Sequence, residues 1–339
     1  GYRGKICGLP VGATFSVAYV NDQLRLRKCG YGRSARQSYD DICVFDGVEG
    51  DVVTVHGDID FFVPNHTDNV QRRAEITALR PGHADLVGQA RYKGLSARDI
   101  SEIASARSSL CYVVLGAICK QILHTYGVFT YSYVTEIGGL CAEMQYVVGE
   151  TERQDYFAKM HCADPNATEQ MCIAADNARA QGDSLGGRVC VVCSGVPMGV
   201  GDIVPYAKRL DARIAANLVG IPSVKGVEFG LGESYAELSG KQSVDKLYVT
   251  DEGNIAYKTN NCGGIVGGVS NGKDIVCTLT VKPVPTVKGV QTVDSVTHEL
   301  TEQHYERADT CVVPQVGVIA ENILAYVLAD VLCEQGLIG

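Results

Sequence analysis

The sequence predicts an α+β fold, and three observations predict it. Four long segments repeat apolar residues with helical period, shorter runs read as strands, and the strands are separated by glycine-rich turns. Strands joined by hairpins favour α+β over a doubly wound sheet, in which strands and helices would strictly alternate.

The first helical segment covers 96–126. Leu110, Val113, Val114, Ala117, Ile118 and Ile122 form one stripe there, and Gly127 ends it. A second helix is expected over 167–181 and a third over 205–219, stopped by Gly220. The fourth covers 314–332, with Val316, Ile319, Ala320, Ile323, Leu324, Val327 and Leu328 on one face and Pro314 suited to a first turn. Of the strands, 188–194 is one. The clearest is 275–282, where Ile275, Cys277, Leu279 and Val281 alternate with Val276, Thr278, Thr280 and Lys282. No low-complexity linker or composition break divides the 339 residues, so a single domain over 1–339 is expected.

Composition narrows the function. Net charge is −9, which disfavours nucleic acid and anionic membrane as partners of the whole surface. An anionic small molecule would need a local basic cluster. Trp is absent. The fourteen cysteines are scattered, several inside apolar runs such as Val189-Cys190-Val191-Val192-Cys193, and read as small buried hydrophobes in a reducing, cytoplasmic setting. Cys190 and Cys193 would point to opposite faces of a strand, so no zinc site is expected. The first residues lack the apolar core of a signal peptide, and no run of 18 apolar residues suggests a membrane span.

Several stretches carry chemistry-bearing residues. Arg25 to Arg36 holds five cations and no carboxylate, interleaved with glycine; arginine forks suit phosphate and carboxylate, and a solvated loop is the competing reading. In Arg80-Pro81-Gly82-His83-Ala84-Asp85 the histidine follows a turn, where it could titrate near neutrality and act as acid or base. Small residues surround Arg107 in Ala104-Ser105-Ala106-Arg107-Ser108-Ser109. Residues 260–272 hold five glycines in thirteen, with neither P-loop nor dinucleotide spacing, which leaves close backbone approach to a ligand or a set of tight turns. Lys282-Pro283-Val284-Pro285-Thr286 is stiffened by two prolines. Asp309 lies just before the last helix, as a cap or as a base kept ionised by Arg307.

The order of these motifs, together with Gly182-Asp183-Ser184-Leu185-Gly186-Gly187 and Val224-Lys225-Gly226-Val227-Glu228-Phe229-Gly230, resembles the chorismate synthase family over essentially the whole chain. The resemblance implies helices sandwiched between two antiparallel sheets, assembled as a homotetramer. It implies a 1,4-anti elimination of phosphate from 5-enolpyruvylshikimate 3-phosphate that requires reduced FMN without net redox change. Some family members reduce their own flavin with NADPH; this sequence shows no added reductase-like domain and no dinucleotide fingerprint, so NADPH is expected to act only indirectly, through an external flavin reductase. By position, His83 is implied to protonate reduced flavin and Asp309 to remove the ring proton. Arg27, Arg33, Arg107 and Arg307 are implied to hold the anionic substrate. Ala104, Ser105, Pro222, Ser223, Asn260, Gly272, Lys282, Pro283, Val284, Pro285, Thr286 and Arg307 fall where the family holds FMN. Gly1 aligns with the last glycine of the family's Gly-Glu-Ser-His-Gly motif, whose histidine is implied to protonate the departing phosphate. That histidine is therefore expected upstream of the given chain. Ser108-Ser109 stands for the usual Glu-Thr, Leu26 for a frequent Arg, Ala308 and Thr310 for His or Ser and Pro, and Val284 for Thr or Ser. These departures motivate a second reading, a family member that binds flavin or substrate without catalysing.

Overall fold

The computed structural model describes residues 1–33, 40–65, 74–143, 155–306 and 308–339. Arg307 and part of the basic stretch, including Arg36, lie outside the described residues. Among the described residues the α-helices are α1 Val17–Lys28, α2 Asp85–Arg91, α3 Ala97–Ile103, α4 Ser109–His124, α5 Asp155–Met160, α6 Pro165–Gln181, α7 Leu210–Val219, α8 Gly240–Ser243 and α9 Val313–Glu334.

A five-stranded antiparallel sheet forms one layer, in the order Leu140–Cys141, Phe129–Ile137, Gly187–Ser194, Ile275–Val281, Val224–Phe229. The run 275–281 alternates buried and half-buried residues as its sequence pattern requires, in register from Ile275 opposite Cys193 to Val281 opposite Gly187. A three-stranded antiparallel sheet, Tyr2–Ile6, Ile59–Val63, Val44–Phe45, forms the other layer. Between them α9 packs on Phe129–Ile137 and Gly187–Ser194, α4 packs on α9, and the far side of α4 meets Tyr2–Ile6. The fold is therefore α+β, with a helical layer between two antiparallel sheets.

Helix α9 is buried on nearly every side, as a helix apolar all round must be. Ala97–His124 and Val313–Glu334 are long and apolar enough to cross a membrane by length and composition, but α9 spends that apolar surface inside the fold. Its contact with α4 is close because Gly116 has no side chain: a Cβ there would collide with the Asn322 carbonyl. Asn322 itself is fully buried and bonds the Val318 carbonyl and Gln23.

Three local expectations are corrected. The segment 96–126 is not one helix. It breaks at Ala104–Ser105, where the Ser105 hydroxyl accepts the Arg107 N–H and starts a 3₁₀ turn, Ala106–Ser108, before α4 begins. The segment 205–219 begins as a 3₁₀ turn at Tyr206–Lys208, and α7 starts only at Leu210. The basic stretch does not begin in a loop: Arg25, Arg27 and Lys28 are the last turn of α1, a helix opened by the Ser16 hydroxyl accepting the Tyr19 N–H. Half of the cysteines are buried as expected, but Cys7, Cys29 and Cys141 are exposed.

Candidate active site

A cavity of about 430 Å³ opens where the N-terminus of α9, the break between α3 and α4, the end of α7 and the exit of Ile275–Val281 converge. Arg27, Arg33, Arg80, Gly82, His83, Ala104, Ser105, Pro222, Ser223, Lys282, Val284, Pro285 and Asp309 all line it, although they are scattered along the chain.

The sequence folds locally to place each group. The strand Ile275–Val281 shifts register against Val224–Phe229 between Thr280 and Val281, and this irregularity precedes Lys282. The Lys282 N–H is tied to the Ser223 carbonyl, with Ser223 in a left-handed conformation. The ammonium of Lys282 donates to the Gly82 carbonyl at 2.7 Å. Gly82 needs its positive φ of 81° for the Pro-Gly turn, and a Cβ there would press on Pro285. That turn is locked by a buried bidentate pair: Arg80 Nε and Nη2 donate to the Asp85 carboxylate at 2.8 and 2.7 Å. Burial opposes the Asp85 charge, but the hydrogen bonds and charge of Arg80 outweigh it and hold the carboxyl below its ordinary range.

His83 stands in this frame with Nε2 2.6 Å from the Thr286 hydroxyl. Burial, then the charges of Arg80 and Lys282, push its pKa down to about 4, against the pull of Asp85. The expectation that this histidine titrates near neutrality is thus corrected for the free protein, where it is neutral at pH 7.

Across the cavity, Asp309 pairs with Arg33 Nη1 at 3.4 Å. Asp309 does not cap α9: the N-cap position is Val312, and no side chain among the described residues caps that helix. Burial lowers the Arg33 pKa, and Asp309 and Asp41 oppose the shift. Arg27 is buried; its Nε donates to the Ser109 hydroxyl at 3.0 Å and its Nη2 to the Ala106 carbonyl at 3.2 Å. Burial pushes its pKa down to about 10, which leaves it charged at neutral pH. Burial, followed by the charge of Lys225, also lowers Lys282.

Some of the predicted residues lie elsewhere. Arg107 turns away to Asp41, at 2.7 Å, and to the Pro64 carbonyl. Pro283 is not part of the cavity lining; Thr286 bonds His83 and lines a smaller cavity of about 120 Å³ together with Arg33 and Asp309. Asn260 and Gly272 belong to a glycine-rich corner where the Asn260 amide bonds the Gly264 N–H and the Asp274 carbonyl. That corner precedes Ile275 whereas Lys282 follows Val281, so they are separated by about 20 Å of strand.

Sequence reasoning missed Asp41 and Gln315 and gave no separate roles to Arg80 and Asp85. Asp41 is 4% exposed and pairs with Arg107 at 2.7 Å, with Arg27 farther off at 3.8 Å, so the two guanidiniums together keep a net positive charge. Its signal is an Asp pair closely following the basic stretch. Gln315 is a buried polar residue in the first turn of α9. A lone amide in an otherwise apolar helix start was the sign available.

A cavity lined with cations, small residues and a proline-stiffened turn, in a protein of net charge −9, can hold a phosphorylated anion beside a neutral imidazole and a carboxylate. A family model described as chorismate synthase matches residues 3–333. The chorismate synthase of Caldicellulosiruptor bescii is 36% identical, with 97% of this chain and 90% of that one aligned. That of Carboxydothermus hydrogenoformans is 37% identical over 97% and 89%. A crystal structure of chorismate synthase superimposes with a TM-score of 0.76 at 28% identity, covering 98% of this chain and 88% of that one.

Proposed function

Because the chain belongs to the chorismate synthase family and is a lyase of that kind, we infer that it eliminates phosphate from 5-enolpyruvylshikimate 3-phosphate to give chorismate. The observation that carries this reading is the convergence of Arg27, Arg33 and Lys282 with His83 and Asp309 in one cavity of an acidic protein. The substrate bears one phosphate and two carboxylates, and such a ligand requires clustered cations.

The cavity also fits FMN. Ala104, Ser105, Pro222 and Ser223 offer small walls, and Lys282 with the Val284–Pro285 turn offers a cation and a rigid edge. These residues would hold the cofactor. The chemistry that reduced FMN supplies when bound is transient electron donation with no net redox change.

The chain's own groups have the following roles. Arg27, fixed by Ser109 and Ala106, and Arg33 bind the substrate's anionic groups. Asp309, oriented by Arg33, receives the ring proton. His83 is neutral in the free protein; an anion bound beside it raises its proton affinity, so that it holds a proton only in the loaded site. The C–O bond to phosphate and one C–H bond break, and a conjugated diene forms. The flavin is kept reduced by an external reductase drawing on NADPH. The protein works as a cytoplasmic homotetramer.

Replacing His83→Ala and Asp309→Asn separately tests the assignment. Each is expected to lower turnover by roughly 100-fold or more, the scale of general acid–base contributions, with FMN still bound. A wild-type rate in either variant removes that residue from the mechanism.

A further inference from the structure

On the other face of α9 a second cavity of about 330 Å³ holds a buried polar cluster that the elimination does not use. Lys120 Nζ lies 2.6 Å from Glu321 Oε1 and donates to Gln23 Oε1 at 3.3 Å. The Ser132 hydroxyl donates to Glu321 Oε2 at 2.9 Å and sits 3.1 Å from His161 Nε2. His161 is in the left-handed region at φ 55°, an uncommon conformation for a non-glycine residue that concentrates at functional sites. Thr130, 8% exposed, has a buried hydroxyl with no hydrogen-bond partner among the described residues. Tyr19 and Phe157 supply aromatic walls.

This chemistry selects a ligand class. Lys120 and Glu321 cancel one another, and Arg25 at the cavity's rim is paired with Asp22. A charged ligand would therefore be desolvated without a counter-charge. An ammonium has three donors, of which Glu321 and Gln23 take two, and Thr130 can both donate and accept. Aromatic walls favour a flat ring. The cavity also shares its framework with the first one. Leu26, Cys29 and Gly30 line the second cavity while Arg27, in the same turn, lines the first. Likewise Val318 and Glu321 of α9 face one cavity, Val316 and Ile319 the other.

We propose that this second cavity is a regulatory pocket for a small neutral aromatic molecule bearing a hydroxyl group, sensed at the active site through the last turn of α1. The coupling rests on the elimination reading above; the binding does not. Phenol serves as the neutral probe and benzoate as the anionic one, titrated into the full-length protein by ligand-observed NMR and then into the phosphate-release assay. Saturable millimolar phenol binding is expected, weakened about tenfold by Thr130→Val and abolished by Ala158→Trp, which fills the exposed rim. Saturating phenol is expected to change the substrate KM by about fivefold, and Ala158→Trp to remove that change. The proposal is overturned by absence of saturable binding, by binding that survives both substitutions, by benzoate binding as well as phenol, or by binding with no change in KM. A wild-type protein that releases no phosphate refutes the elimination instead, and the NMR titration then decides the pocket alone.

Discussion

His83 illustrates how much a single side chain's surroundings decide. Its pKa of about 4 lies below the ordinary histidine value, so the unfolded chain binds a proton as pH falls through about 6.5 while the folded chain resists until about 4. The stabilising difference is intact above that window and is lost within it. Wild-type protein should therefore lose thermal stability more steeply between pH 6.5 and 4 than His83→Asn; parallel melting curves would contradict the buried neutral state. Asp85 gives a second prediction. Asp85→Ala strands Arg80 in a buried site, and the expected loss is about 3–5 kcal/mol in denaturant unfolding, because a buried charge loses its partner. A loss below 1 kcal/mol would mean that the pair does not lock the turn. The sequence made His83 legible because Pro81-Gly82 forces a turn and leaves the ring off any packed helix face. Asp41 left only a faint trace, an Asp pair after the basic stretch, since its value lies in two arginines that only the tertiary fold brings to it.

Helices reveal themselves through apolar spacing, and α1 shows where that fails. Its buried face is Val20, Gln23, Leu24 and Arg27, correctly spaced for a helix, but half of those residues are polar because they serve the two cavities. A reading by hydrophobic period sees only a basic stretch. The break at Ala104–Ser105 escaped for the opposite reason: Ala and Ser tolerate a helix, and the cap depends on a hydroxyl geometry that periodicity does not encode. By contrast α9 and the strand Ile275–Val281 were legible almost to the residue, because burial on their faces is uniform. The α4–α9 contact depends on one glycine. Gly116→Ala should destabilise the protein by about 1–3 kcal/mol through overpacking against the Asn322 backbone, measured by urea unfolding, and Gly116→Leu by more. An unchanged midpoint for both variants would show that the helices can separate freely.

At the scale of the whole molecule, two sheets enclose a helical layer whose middle helix carries different chemistry on its two sides. Motif order along the chain was enough to indicate the family, while within one chain Asn260 and Gly272 stand before the strand Ile275–Val281 and Lys282 after it. Order in sequence records ancestry, whereas a site requires proximity, and only the fold supplies that. The acidic surface and the basic cavity are likewise a whole-molecule property: a net charge of −9 would repel a ligand bearing a phosphate and two carboxylates unless Arg27, Arg33 and Lys282 were gathered at one point. The most direct test is to incubate the full-length protein anaerobically with reduced FMN and 5-enolpyruvylshikimate 3-phosphate and to measure phosphate release together with the absorbance of chorismate. Equal amounts of phosphate and chorismate over many turnovers are predicted. Tight FMN binding with no phosphate released would contradict the assignment and identify a binding member of the family.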